Sequence, residues 1–223
     1  QFPVRYLSSL NYGYGYPVAN FLYPLFMYLG VPIHVAGFGF VDTIKIILGL
    51  SMVSSSVFCF LWLSKIFNKF SAFAGSIFYL YLPYHLYDLY KRGSVGEILA
   101  LAIVPFALLQ VERKSFFWLT LSLGALVLSH NSLALLFMPI IVIYMFIKKN
   151  FSIYSIILTV FLGLGISSFF WFPALFDLQY TVFSKTKVSE WQNYFADINI
   201  ISHMSLVVIF ISILLAVKKR VKG

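Results

Sequence analysis

The sequence predicts an all-α fold, a polytopic transmembrane helical bundle of about seven spans, and three observations carry that expectation. Hydrophobic residues make up 61% of the 223-residue chain and charged residues only 10%, where soluble domains carry about 45–50% and about 25%. Mean hydropathy is +0.92. Long uncharged runs recur, bounded by Lys/Arg, proline or polar turns, and about 20 apolar residues suffice for a helix to cross the bilayer core. So little polar surface cannot clothe a water-exposed globule, which excludes a solvated enzyme domain, a disordered chain and a collagen-like repeat. Cys59 is the single cysteine and lies within an apolar run, so no intrachain disulfide is available.

Taken in order, residues 1–41 read as an external and interfacial segment of one transmembrane domain, 1–223. The stretch from Phe21 to Phe40 is apolar, yet Pro24, Gly30, Pro32, Gly37 and Gly39 interrupt it, which predicts an interfacial or re-entrant approach. Spans follow at about 42–64, 71–90, 95–111, 115–129, 132–147, 151–173 and 203–217, with an external loop at 174–202. The uncharged run of 115–147 would extend about 50 Å as one helix, too long for a single crossing. His130-Asn131-Ser132 near its middle is the natural hairpin.

Charge supports that split. With seven spans, Lys65, Lys69, Arg113, Lys114, Lys148, Lys149, Lys218, Lys219, Arg220 and Lys222 share one side, with Glu112 as its only acid. The positive-inside rule makes that side, and the C-terminus, cytoplasmic in the cell membrane. The other side receives Arg5, Lys91, Arg92, Lys185 and Lys187, the remaining six acids and all four histidines. Any site therefore faces the exterior or periplasm. The net charge of +9 is distributed as span-flanking clusters, which speaks for a lipid bilayer as partner and against nucleic acid. The chain opens on Gln1 without a signal-peptide pattern and reads as a fragment or processed form of something longer.

Four constellations lie on the predicted outer side. Arg5 precedes Asn11-Tyr12-Gly13-Tyr14-Gly15-Tyr16-Pro17; Tyr12 and Tyr16 offer aromatic faces suited to sugar rings, and Arg5 a two-pronged grip on phosphate. An interfacial aromatic belt with a solvated arginine is the plainer alternative. The second, Tyr81 to Glu97, is the densest in polar groups. In a helix over 84–92, Tyr84, Asp88 and Arg92 stack at i, i+4 and i+8, with His85 beside them; the face would bind phosphate through Arg92, or merely close a helix end with an Asp88–Arg92 pair. Gly93 reads as a C-cap. Ser94-Val95-Gly96-Glu97 matches a capping box, so Glu97 is first a capping residue and second a candidate base. Third, His130 and Asn131 must find partners inside a lipid-like run, as a satisfied turn or as a pyrophosphate-binding and proton-transferring pair. Trp171 to Asp177 reads as an aromatic anchor ending a span.

Motifs for nucleotide loops, zincins, redox CxxC pairs and serine hydrolases are missing, and the histidines lack metal-ligand spacing. No metal site and no cofactor are expected, although a divalent cation as assistant is left open. Gly163-Leu164-Gly165 suits close helix packing.

The succession YGYGYP, PYHLYDLYKRGSVGE with VPFALL after it, LSHNSLALL and FFWFPAL resembles polytopic prokaryotic membrane proteins labelled "6-pyruvoyl-tetrahydropterin synthase-related", which look like GT-C-type glycosyltransferases; the label does not imply pterin chemistry. The resemblance runs from about Arg5 to Asp177. It implies a polyprenyl-phosphate-linked sugar donor and a catalytic acid in a first external loop, which this chain would carry upstream of Gln1, leaving the fragment inactive alone. The expectation is transfer of a sugar at the external face to an unknown acceptor glycan, lipid or protein, with Asp88, Glu97 and His130 as catalytic candidates. Arg5, Tyr12, Tyr16, Tyr84, His85, Arg92 and Asn131 would bind substrate. The alternatives are a transporter or flippase of lipid-linked glycans and a non-catalytic structural subunit.

Overall fold

The structure, a computed structural model, describes residues 5–148 and 151–181 together with Leu206 and Phe210. The span expected at 203–217, most of the loop 174–202 and the C-terminal basic cluster lie outside the described residues. Among the described residues all regular structure is helical, save one isolated bridge between Leu7 and Tyr16.

The helices are α1 (Val18–Phe21), α2 (Leu25–Val35), α3 (Phe40–Leu63), α4 (Lys69–Leu80), α5 (Pro83–Tyr87), α6 (Val95–Arg113), α7 (Phe116–Ser129), α8 (Asn131–Lys148) and α9 (Ile153–Asp177). Four stretches are long and apolar enough to cross a membrane: α3, α6, α8 and α9 with its extension to Tyr180. This is a membrane protein, and large apolar side chains such as Val53, Leu135 and Phe161 stay exposed on the outside of the bundle, as a hydrocarbon solvent allows.

Several boundaries differ from expectation. The span expected at 71–90 divides, because α4 ends at Leu80 and Pro83 opens a separate helix. Pro83 sits at the first turn, where its missing N–H is no loss. Gly30 and Pro32, expected to break the approach to the first span, lie inside a continuous α2. Gly30 is kept there by a close approach, since a Cβ would meet Thr43 Cγ2 at 3.2 Å. Pro24 and Gly37, the latter at φ 102°, mark the two ends of α2. Pro173 likewise does not end α9, which continues to Asp177. The hairpin at His130 is as expected: α7 stops there and α8 begins with Asn131.

The centre of the bundle is α6, buried along most of its length and surrounded by α3, α7 and α8. It contributes Ala100, Val104, Ala107 and Val111 to a core completed by Leu119, Leu123, Leu126, Ile141 and Met145. Helix α9 packs on the far side of α7 through glycine. A Cβ on Gly163 would meet Leu123 Cβ at 2.9 Å and Thr120 O at 3.3 Å, whereas one on Gly165 would meet nothing within 4 Å. Gly163→Ala is therefore expected to cost about 1–3 kcal/mol through forced separation of α7 and α9. Gly165→Ala should be neutral or slightly stabilising, and parallel thermal unfolding in detergent checks the pair.

The ends of the bundle differ in chemistry. At one end Lys148 Nζ lies 2.6 Å from Glu112 Oε1, Tyr144 donates its hydroxyl to the same carboxylate, and Trp62 Nε1 donates to the Tyr144 hydroxyl at 3.3 Å. The lone acid of the basic side is thus neutralised and ties α3, α6 and α8 together. The opposite end gathers the groups that follow.

Candidate functional site

Three chain segments meet where α6 begins. The first is α5 with the π-helical turn Asp88–Arg92 that continues it, ended by Gly93 in the left-handed region at φ 58°. A π turn inserts an extra residue per turn and re-aims side chains; here Asp88 and Arg92 both face α6. The second is the first turn of α6, which carries Glu97. The third is the α7–α8 corner with His130.

Glu97 is the hub. Its side chain is 3% exposed, yet it is surrounded by donors. Arg92 grips it at two points, Nη1 to Oε2 at 2.8 Å and Nη2 to Oε1 at 2.6 Å. Tyr84 donates its hydroxyl to Oε2 at 2.5 Å, and His130 Nε2 stands 3.5 Å from Oε1. The carboxylate also lies in the first turn of a 19-residue helix, where the axial dipole favours negative charge. The capping-box expectation fails: Ser94 is the N-cap but makes no side-chain cap, because Glu97 is turned outward into this cluster instead of back onto the Ser94 amide.

Asp88 is the second carboxyl, fully buried, with Oδ1 3.2 Å from Arg92 Nη1 and Oδ2 lacking a partner as an ionised oxygen. Burial first, then the charge of Glu97 and a hydrogen bond to it, push its pKa up to about 7 against the pull of Arg92. The buried pair, with Arg92 against both carboxyls, thus holds a proton on Asp88 more firmly than a free carboxyl would. Because the folded-state pKa lies above the ordinary carboxyl value, the stability that this proton contributes is complete at pH below the usual carboxyl range and is lost as pH rises through about 7. Asp88→Asn should remove that component, so the variant's melting temperature should vary less between pH 5 and 8 than the wild type's.

His130 caps α8 with its other nitrogen, accepting from Leu133 N at 3.4 Å, which leaves the proton on Nε2 toward Glu97. Burial lowers its pKa against the attraction of Glu97, so a neutral imidazole faces the carboxylate. Its ring lies against Tyr23, with centroids 4.8 Å apart.

The structure brings Tyr84, Asp88, Arg92, Glu97 and His130, which the sequence offered in separate constellations, together in one cluster. Other candidates fall elsewhere. His85 is buried, its Nδ1 donating to Tyr79 O at 2.7 Å and its ring edge-on to Tyr79; burial keeps it below the usual histidine pKa. It clamps α5 onto the end of α4 and offers no face to a substrate. Arg5 donates to the Phe169 carbonyl of α9 at 3.2 Å and makes no ion pair with the cluster. Tyr12 is fully exposed and Tyr16 half-exposed on the N-terminal loop. Asn131 adjoins His130 but is exposed. Among the described residues no group of three or more His, Cys, Asp or Glu is arranged to hold a metal ion.

Residues that the sequence reading missed complete the site. Tyr23 packs on His130, and Gly96 lets its ring and the end of α7 approach: a Cβ there would meet Tyr23 Cε2 at 2.1 Å and Ser129 O at 2.4 Å. A glycine inside a capping box was the available signal. Asn20 donates to Asp177 Oδ2 at 2.5 Å and ties α1 to the end of α9; neither residue carries a local pattern.

Compared with family models, with curated proteins and with solved structures, the chain matches none.

Proposed function

We propose that the protein is a membrane-embedded glycosyltransferase that moves a sugar from a polyprenyl-phosphate donor to an acceptor hydroxyl at the external face, with Glu97 as the base. The observation that carries this reading is the convergence on one buried carboxylate of an arginine and a tyrosine from one chain segment and a neutral histidine from another. In the step proposed, the acceptor oxygen attacks the anomeric carbon as its proton passes to Glu97. The bond from that carbon to the phosphate oxygen breaks, the electron pair leaves on the polyprenyl phosphate, and configuration inverts. Arg92, through its two-point contact, fixes the carboxylate plane. His130, whose Nε2–H faces Oε1, holds the carboxylate from the α7–α8 corner. The carboxyl pair with Arg92 is already neutralised, so Arg92 acts as an orienting group rather than the free phosphate grip expected from sequence, and Arg5 takes no part.

The assay is transfer of radiolabelled sugar from a panel of polyprenyl-phosphate sugars to membrane acceptors. Labelled product is expected from at least one donor, and silence across the panel with folded protein would reject the reading. The two buried carboxyls of Asp88 and Glu97 held on one arginine favour a second reading, a proton-coupled transporter of lipid-linked glycans; uptake of protons in step with glycan movement across vesicles would select it.

A further inference from the structure

Helices α8 and α9 both lean on α7 and scarcely touch one another. Between them runs a groove of about 610 Å³, floored by Val127 of α7 and walled by Leu135 and Pro139 on one side and Leu164, Trp171 and Ala174 on the other. That volume lies within the range of about 300–1,000 Å³ for small-molecule sites. Its wall is apolar by construction. Trp171, which could have presented a donor, lines the groove but gives its Nε1–H to Leu164 O at 2.9 Å. Polarity enters at one place: Asn131, exposed at the start of α8 and without a hydrogen bond to another described residue, next in sequence to His130 at the carboxyl cluster.

We propose that this groove binds the hydrocarbon chain of a bilayer lipid, whose polar head then lies at Asn131 beside the cluster. Both walls belong to helices long and apolar enough to cross the membrane, so the medium that reaches the groove is hydrocarbon, and a chain fills it without desolvating any polar group. The chain's own later segment does not fill it through its described residues, since Leu206 and Phe210 are exposed and outside the lining. Chain binding requires only the bilayer and stands whether or not sugar is transferred.

The experiment is photo-crosslinking of the full chain in vesicles that contain either a photoreactive polyprenyl phosphate or a photoreactive phosphatidylcholine, followed by peptide mapping. Adducts are expected concentrated in 134–142 and 160–175, with the more efficient probe identifying the lipid source. Ala174→Trp, which fills the groove, should reduce them at least tenfold, and Leu135→Trp at the rim should do the same should Ala174→Trp fail to fold. Phe161→Trp, on the exposed side of α9 outside the groove, should leave them unchanged. Adducts spread evenly over the exposed helix faces, or unchanged by the filling variants in protein that melts like wild type, would overturn the assignment. So would quantitative disulfide formation between cysteines placed at 174 and within 203–217, which would make the protein's own segment the occupant. Adducts without sugar transfer leave the groove and remove the transferase reading; transfer without adducts does the reverse.

Discussion

Replacing Arg92 with alanine is expected to cost about 3 kcal/mol of stability and to abolish transfer. Removing one partner of a buried ion pair costs about 3–5 kcal/mol because the other charge is left unpaired. The low end applies here, since the Arg92 side chain is 45% exposed and water enters the space it vacates. Two carboxyls, 0% and 3% exposed, then face each other without a cation, and relief comes from protonation. The deficit should therefore shrink as pH falls from 8 to 5. Arg92→Lys keeps the charge but not the planar two-point contact and should fall between the two in both stability and turnover. Thermal unfolding across pH, with transfer measured on the same preparations, checks both parts.

The second large effect is expected at Gly96, where no charge changes. An alanine Cβ would sit 2.1 Å from a Tyr23 ring carbon and 2.4 Å from the Ser129 carbonyl oxygen. The ring has some freedom to turn, although it is already packed on His130. The carbonyl belongs to the last turn of α7 and moves only with the helix. Overpacking of a well-filled interior costs about 1–3 kcal/mol and occasionally more; with backbone as the obstacle, Gly96→Ala should reach about 3 kcal/mol. It should also carry His130 away from Glu97, and displacements of about 1 Å in a positioned site cost on the order of 100-fold in rate. Tyr23→Ala in the same chain should recover only part of the stability, because the Ser129 contact remains. Full recovery by that double variant would show the ring alone to be the obstacle.

Much of this was legible in the sequence where local rules govern. Composition and the long uncharged runs imply membrane helices, and α3, α6, α8 and α9 are long and apolar enough to be such helices. The i, i+4, i+8 spacing of Tyr84, Asp88 and Arg92 placed them on one face, and Gly93 ended that turn as a left-handed residue would. Proline was less informative, because Pro32 and Pro173 are accommodated inside α2 and α9 where bundle packing outweighs a lost backbone bond. Glu97 was misread since the capping box is a local pattern, whereas the pull of Arg92, Tyr84 and His130 is tertiary. The partners of His85 and Arg5, Tyr79 O and Phe169 O, were out of reach for the same reason, since they are backbone groups that no motif announces.

The central claim, that the buried Glu97 carboxylate is the reacting base, is tested most directly by turnover of Glu97→Gln. Glutamine keeps the size of the side chain and an oxygen for the Tyr84 hydroxyl, and removes the charge and the proton-accepting capacity together with one of the two Arg92 contacts. The account predicts a folded protein whose transfer rate falls by about 100- to 10,000-fold, the span of general base catalysis, with donor binding retained. Turnover like the wild type's from a folded Glu97→Gln protein would contradict it.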